Sequence, residues 1–126
     1  AIRKGKPIQV FNNGDMRRDF TYIDDIVAGV LAAAGYSPAP DENGVAAKIF
    51  NLGNSKSENL MDFISVVEKE MGHRAAKDFQ PLQMGDVPET FADIEESRKL
   101  LNYSPKTTIH EGIPRFVEWY KTYYNF

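Results

Sequence analysis

Two arginines follow a predicted tight turn near the start of this 126-residue chain. Residues 12–15, Asn-Asn-Gly-Asp, have turn chemistry, and Arg17 and Arg18 come directly after them. The planar guanidinium group can hold a phosphate through two parallel, charge-assisted hydrogen bonds. A phosphate contact is one interpretation of this pair. The spacing alone favours the other, in which one arginine pairs with Asp15 or Asp19 and the second is solvated, because surface ion pairs are common.

A second candidate lies in the segment Gln-Met-Gly-Asp-Val-Pro, residues 83–88. Its glycine turn places Asp86 beside an extended stretch. An acidic side chain that accepts hydrogen bonds from ribose hydroxyls is a feature of dinucleotide sites. A plain turn is the alternative, because Gly-Asp followed by Pro is ordinary loop chemistry.

Other groups that could do chemistry have structural explanations. Asp24 and Asp25 are adjacent at a predicted helix start, where acids complement the helix dipole and do not face each other. His73 and His110 have no partners at metal-ligand spacing, so we expect no metal site. The chain has no cysteine, which excludes disulfides, thiolate metal sites and a cysteine nucleophile.

Composition limits the partners. The formal net charge is -3 and the basic residues are scattered, so no nucleic-acid partner is expected. No apolar run approaches the roughly 20 residues of a membrane span, and no signal-peptide pattern is visible. We therefore expect no membrane partner and a cytoplasmic location. Tyr120, Tyr123 and Tyr124 lie beside Trp119 without a basic face, which favours core packing over base stacking.

The elements that position these candidates are short strands and helices. Residues 1–5 have the pattern of a last helical turn closed by a glycine. Residues 8–11 and 18–23 are predicted to form a hairpin around the Asn-Gly turn. Residues 48–52 are predicted as a further strand, with extended pieces at 77–83 and 90–92.

Apolar periodicity predicts four helices, over residues 24–35, 60–71, 93–101 and from 108 onward. Capping boxes are predicted at Asp93 with Glu96 and at Thr108 with Glu111, and Asn102 is predicted to end the third helix in a left-handed conformation. The fold class is therefore α/β, one unit with short mixed strands and about four helices.

The segment FNNGDMRRDFTYIDDIV, residues 11–27, resembles extended short-chain dehydrogenase/reductases that act on nucleotide sugars, with the UDP-glucuronate 4-epimerases the most similar group. The resemblance continues, in order, through FNLGN (50–54), GDVPETFAD (85–93), YSP (103–105) and GIPRFVEWY (112–120). It covers nearly the whole chain.

The resemblance implies an NAD-dependent isomerase of polysaccharide biosynthesis. Hydride leaves carbon 4 of a UDP-sugar, a keto intermediate turns over, and hydride returns to its other face. In that family an amino-terminal Rossmann half binds NAD and carries a Tyr-x-x-x-Lys pair, and neither that pair nor a Gly-rich loop occurs in this sequence.

We therefore expect residues 1–126 to be the carboxy-terminal, nucleotide-sugar-binding part of such an epimerase. The catalytic and NAD-binding residues are expected upstream of Ala1, and the full-length enzyme is expected to be a homodimer. The alternative is a stand-alone module that binds a nucleoside diphosphate or a protein without catalysis. The helix end at residues 1–5 favours the first interpretation.

The same resemblance assigns three substrate-binding residues. Arg18 matches the arginine that faces the UDP pyrophosphate, and Asp86 matches the aspartate that faces the uridine ribose. Gln83 stands where many galactose-type epimerases have a second phosphate-binding arginine. The resemblance therefore supports Gln83 as a contact less than it supports Arg18 and Asp86.

Overall fold

The computed structural model describes residues 1–125. Its strands are β1 (Ile8–Val10), β2 (Arg17–Asp19), β3 (Ser57–Asn59) and β4 (Lys77–Phe79), and its α-helices are α1 (Ile23–Ala34), α2 (Leu60–Met71), α3 (Glu95–Leu101) and α4 (Ile109–Tyr123). Short 3-10 turns occupy Ile2–Lys4 and Phe11–Gly14. The predicted α/β class, with short strands and four helices, is confirmed.

The predicted hairpin is wrong. β1 pairs in parallel with β4, and β2 pairs antiparallel with β3. Asn12, Asn13 and Gly14 all have positive φ, which makes the turn a tight coil rather than a two-residue hairpin loop. Its backbone is also held by β4's continuation, since Asn13 N donates to Gln80 O at 3.0 Å. β2 ends at Asp19, and the predicted strand over residues 18–23 is too long.

Residues 48–52 form no strand within the described part of the chain, contrary to prediction. Side chains hold this segment instead of a ladder. Ser97 Oγ donates to Asn51 O at 2.6 Å, Asn51 Nδ2 donates to Asp93 O at 3.1 Å, and the Tyr103 hydroxyl donates to Gly53 O at 3.0 Å. These bonds fix the extended stretch against α3 and the segment that follows it.

One apolar cluster lies between α2 and α4, with Val66, Ile109, Ile113 and Val117 buried. Phe20, which follows β2, stacks on Phe63 of α2 with ring centroids 4.0 Å apart. The Thr108 and Glu111 capping box is confirmed at the start of α4. This cluster therefore ties β2 to the helix pair.

A second cluster joins Ile94, Leu101 and Tyr103 to α1. The face of α1 that contacts this cluster consists of small residues. Gly29 is buried there, and a Cβ at this position would lie 2.7 Å from Leu52 Cδ2. The helix itself is confirmed, but the apolar residues whose spacing predicted it are largely exposed, among them Val27, Val30 and Leu31, the last by 68%. Close approach of the helix requires small residues, so the packed face differs from the most apolar face.

The predictions for the two ends of α3 have opposite outcomes. Asn102 ends α3 with φ 54, as predicted. The capping box predicted at Asp93 and Glu96 is absent, because Glu96 pairs with Lys48 at 2.6 Å while Asp93 Oδ1 accepts from Glu95 N at 3.0 Å.

No helix within residues 1–125 has the length and apolar character needed to cross a membrane.

The prediction that the aromatic side chains of α4 pack in the core is wrong for several of them. Tyr123 and Tyr124 are more than half exposed, as is Trp119. For the two tyrosines the reason is length: α4 has 15 residues, α2 has 12, and Lys121 Nζ already donates to Glu70 O near the end of α2. The last turn of α4 therefore extends past its packing partner.

Candidate functional site

Strand β2 brings together two of the residues that sequence reasoning selected. Arg18 Nη2 donates to Asp86 Oδ1 at 2.7 Å, although the two residues are 68 positions apart. Arg18 Nη1 donates to the carbonyls of Arg17 at 2.8 Å and Pro88 at 3.1 Å. We call these two side chains the Arg18–Asp86 pair. The backbone contacts hold the guanidinium group in a fixed orientation.

The turn that carries Asp86 is built for this contact. Gly85 has φ 84, a left-handed conformation that suits glycine, and Asp86 N donates to Gln83 O at 3.1 Å to close the turn. Asp86 Oδ1 also accepts from Val87 N at 2.9 Å. The carboxylate is thereby fixed by its own backbone as well as by the arginine.

Backbone bonds fasten the segment after this turn to β2. Arg17 N donates to Pro88 O at 2.8 Å, and Thr90 N donates to Arg17 O at 3.2 Å. This parallel bridge between Arg17 and Glu89 sets the distance between the Asp86 turn and the strand. Sequence reasoning predicted extended backbone after Asp86 and at 90–92 but missed its bridge to Arg17, because the two segments are about 70 positions apart.

Gln83 lies on the same turn, three residues before Asp86. Its side chain is exposed and makes no hydrogen bond to any of residues 1–125. The structure therefore places all three predicted site residues together: Arg18 and Asp86 in contact, and Gln83 beside them.

The two arginines do not make the ion pairs with Asp15 or Asp19 that sequence reasoning left open. Arg17 pairs with Glu89, with Nε 3.2 Å from Oε1, and its Nη2 donates to Ser57 O at 2.8 Å. Successive side chains of a strand alternate between its two faces, so Arg17 and Arg18 serve different neighbours.

Asp19 has a structural role that sequence reasoning did not identify. Its Oδ1 accepts from Asn54 N at 2.9 Å, and its Oδ2 accepts from Ser55 N at 2.9 Å and Ala92 N at 3.0 Å. One carboxylate thus joins three segments at the end of β2. The Asn-Leu-Gly-Asn turn at 51–54 was the available signal, since such turns leave N–H groups that an acid can bind.

The shifted pKa values belong to groups that hold the fold. Burial would raise the pKa of Asp25, but hydrogen bonds from Thr107 and Lys106 outweigh it and the pKa is lowered. Burial raises the pKa of Tyr103, and the charges of Asp25 and Asp19 add to the effect. Tyr103 therefore stays protonated and donates to Gly53 O, which is a structural role.

The side chain of Arg18 is 24% exposed and that of Asp86 is 34% exposed. Three N–H donors of the guanidinium group are used within the chain, and Asp86 Oδ2 has no donor among residues 1–125. The pair can therefore offer donors to an anion and, next to them, an acceptor to a hydroxyl group.

An apolar cavity of about 360 Å³ lies beyond the end of β2, beside the residues that connect this strand to α1. It is lined chiefly by Phe20, Tyr22, Ile23, Phe63, Ile113 and Phe116, and it does not include the Arg18–Asp86 pair. Within residues 1–125, no cluster of three or more His, Cys, Asp or Glu side chains has a geometry that could hold a metal ion.

Comparison with known proteins gives consistent matches. Residues 1–53 match the model of the NAD dependent epimerase/dehydratase family. The chain is 37% identical to a probable UDP-glucuronate 4-epimerase of Rhizobium meliloti, covering 98% of this chain and 40% of that protein. It is 49% identical to an uncharacterized protein of Methanocaldococcus jannaschii, covering 94% and 34%.

Among solved structures, the chain resembles the UDP-glucuronic acid 4-epimerase of Bacillus cereus in complex with UDP-glucuronic acid and NAD. The TM-score is 0.79 at 32% identity, covering 96% of this chain and 37% of that one. The predicted family resemblance is confirmed. The chain spans about a third to two fifths of the length of these relatives and matches their carboxy-terminal part.

Proposed function

We propose, from the chain's similarity to the carboxy-terminal part of the NAD dependent epimerase/dehydratase family, that residues 1–126 bind the UDP-sugar in a UDP-glucuronate 4-epimerase. The observation that carries the proposal is the Arg18–Asp86 pair, in which two residues 68 positions apart lie 2.7 Å from each other. Several relatives and solved structures are UDP-glucuronate 4-epimerases, so a stand-alone module without catalysis is not favoured.

In this proposal, the remaining N–H donors of Arg18 hold the pyrophosphate, and Asp86 Oδ2 accepts a ribose hydroxyl. A phosphate bound by arginine gains charge-assisted hydrogen bonds, and hydroxyl groups that bind the carboxylate supply hydrogen bonds to its charged oxygens. Gln83 is the weaker contact, a neutral donor beside the diphosphate. These contacts are remote from carbon 4, so they stabilise the ground and transition states alike.

NAD, when bound, supplies the hydride acceptor for such a reaction. The present residues do not fit that cofactor, because the sequence has no Gly-rich dinucleotide loop and no Tyr-x-x-x-Lys pair. We propose that both lie in a Rossmann half that precedes Ala1 in the full-length enzyme. The homodimer, the cytoplasmic location and the role in polysaccharide biosynthesis stay predictions.

Two measurements on the 126-residue chain test this proposal. The chain alone should show no epimerase turnover with UDP-glucuronate and NAD, while UDP should shift the NMR resonances of Arg18, Gln83 and Asp86. Turnover by this chain would contradict the proposal that the catalytic and NAD-binding residues lie in a separate Rossmann half. UDP shifts confined to other residues would contradict the site.

In the full-length enzyme, Arg18→Ala should raise the KM for the UDP-sugar more than it lowers kcat. Arg98→Ala is the matched control, because Arg98 lies on α3 and pairs there with Glu95. A large fall in kcat at unchanged KM would show that Arg18 acts elsewhere in the reaction.

For Asp86, Ala should weaken UDP binding more than Asn does, because Asn keeps one acceptor and nearly the same shape. A turn role would appear instead in the melting temperature, since Asn supports such turns as well as Asp. Calorimetric UDP titration of both variants, with their melting temperatures, separates the two roles. An Asp86→Ala variant that binds UDP normally but melts several degrees lower would exclude the ribose contact.

A further inference from the structure

We propose that Asp86 is a specificity residue, which neutralises Arg18 so that the site binds nucleoside diphosphates well and bare phosphate anions poorly. The inference rests on the proposed function of the same site and adds its selectivity. It starts from the short ion pair itself, because a cation meant only to attract phosphate gains nothing from a neighbouring carboxylate.

The pair carries no net charge toward an incoming ligand. Arg18 Nη2 lies 2.7 Å from Asp86 Oδ1, and both side chains are partly buried, so water screens their attraction less than at an open surface. The position three residues before Asp86 holds the neutral Gln83. Arg17, the neighbouring cation, pairs with Glu89. Long-range attraction of an anion to this site is therefore small.

A phosphate that binds Arg18 must also approach Asp86. A phosphate oxygen at hydrogen-bond distance from the guanidinium group lies roughly 6 Å from the carboxylate, where two like charges lower affinity by about threefold to tenfold in a largely aqueous environment. A ribose hydroxyl offsets this cost by donating to Asp86 Oδ2. Inorganic pyrophosphate has no such hydroxyl, so it bears the repulsion in full.

Backbone bonds hold the carboxylate beside Arg18. Asp86 Oδ1 accepts from Val87 N at 2.9 Å, and the backbone of residues 88 and 90 is bonded to Arg17. The carbonyls of Arg17 and Pro88 hold Arg18 in the same way. An anion that binds Arg18 therefore meets the charge of Asp86 as well.

The test compares inorganic pyrophosphate and UDP as ligands of the 126-residue chain, titrated separately and followed by the Arg18 Nε resonance. Asp86→Asn should raise the affinity for pyrophosphate about threefold to tenfold and lower that for UDP. Glu89→Gln is the matched control: it removes the same charge from a carboxylate paired with the adjacent arginine, and it should leave the ratio of the two affinities unchanged at 150 mM salt, because the freed Arg17 attracts both diphosphates.

The outcomes separate the two proposals. If UDP binds at Arg18 but Asp86→Asn leaves pyrophosphate affinity unchanged or lower, the selectivity role is overturned and the proposed function stands. If UDP itself does not perturb Arg18, the proposed function fails and the selectivity role fails with it. Asp86→Ser, which keeps an acceptor for Val87 N without the charge, replaces Asp86→Asn if that variant does not fold.

Discussion

Two neighbouring residues at the end of β2 use their polar groups in opposite ways. Asp19 accepts three backbone N–H groups from two distant segments. Arg18 meets Asp86 and two carbonyls, and the pair keeps unused donors and an unused acceptor. The Asp19 carboxylate, filled by backbone donors, thus fixes the fold, whereas the partly satisfied Arg18–Asp86 pair can take a ligand.

The Asp19 junction is crowded as well as fully bonded. A Cβ on Gly53 would lie 2.4 Å from Ala92 Cβ and 3.0 Å from Asp19 Oδ2. Asp25 belongs to the same class, since its carboxylate accepts from Thr107 N at 2.9 Å and Lys106 N at 3.3 Å. Asp19 holds the end of β2, on which Arg18 depends, whereas Asp25 holds the start of α1 against residues 106–107.

The largest effect is expected from Asp19→Asn. One oxygen of the carboxylate becomes an NH2 group facing a backbone donor, so at least one N–H loses its partner in a part-buried junction. The free energy of unfolding should fall by about 3 kcal/mol. Urea denaturation measures it, with Asp15→Asn on the exposed turn as the control, for which less than about 0.5 kcal/mol is expected. Equal losses for both variants would remove the distinction drawn for Asp19.

Arg18→Ala should have its main effect on binding rather than on stability. Loss of a charge-assisted contact to phosphate should weaken UDP binding by about 2 kcal/mol, roughly thirtyfold. Stability should change by less than about 1 kcal/mol, because the ion pair is partly exposed. Calorimetry and urea denaturation on the same sample give both values. A stability loss as large as that of Asp19→Asn would place Arg18 with the fold-holding groups.

Asp25→Asn should give a pH-dependent loss of stability, on the order of 1 kcal/mol at neutral pH. The folded-state pKa of Asp25 is lowered from its ordinary value, so its contribution is present above that ordinary value and disappears as the pH falls through the folded-state pKa. The difference between variant and parent should therefore close in acid, as Asp25 of the folded parent becomes protonated. Denaturation series across pH measure this. A difference that grows toward acid would reverse the assignment.

The smallest effect is expected from Glu89→Gln. Arg17 and Glu89 are each about half exposed and 3.2 Å apart, which is typical of ion pairs that contribute little to stability. The backbone bridge between these two residues stays intact, so stability should change by less than about 0.5 kcal/mol. A loss above about 1 kcal/mol in urea would mean that this pair, and not the backbone bridge, holds the segment next to Asp86.

Much of the helical structure could be predicted from local patterns. The limits of α2 agree with the predicted residues 60–71, and the Thr108 box and the Asn102 cap formed as expected. The strands could not be paired in this way. Each has three residues, and their partners lie about 40 to 70 positions away, so the turn at 12–15 was the only local cue and it suggested a hairpin.

The helices, the Thr108 box, the Asn102 cap, the family resemblance and the candidates Arg18, Gln83 and Asp86 could be read from contiguous segments of the sequence, whereas the box predicted at Asp93 did not form. Which acid pairs with which arginine depended on the tertiary fold. Asp19, one residue from Arg18 in the chain, bonds backbone groups, whereas Asp86, 68 residues away, pairs with Arg18. The physical reason is that an ion pair follows the direction of side chains and the distance in space, and strand alternation and the Arg17–Glu89 bridge set both.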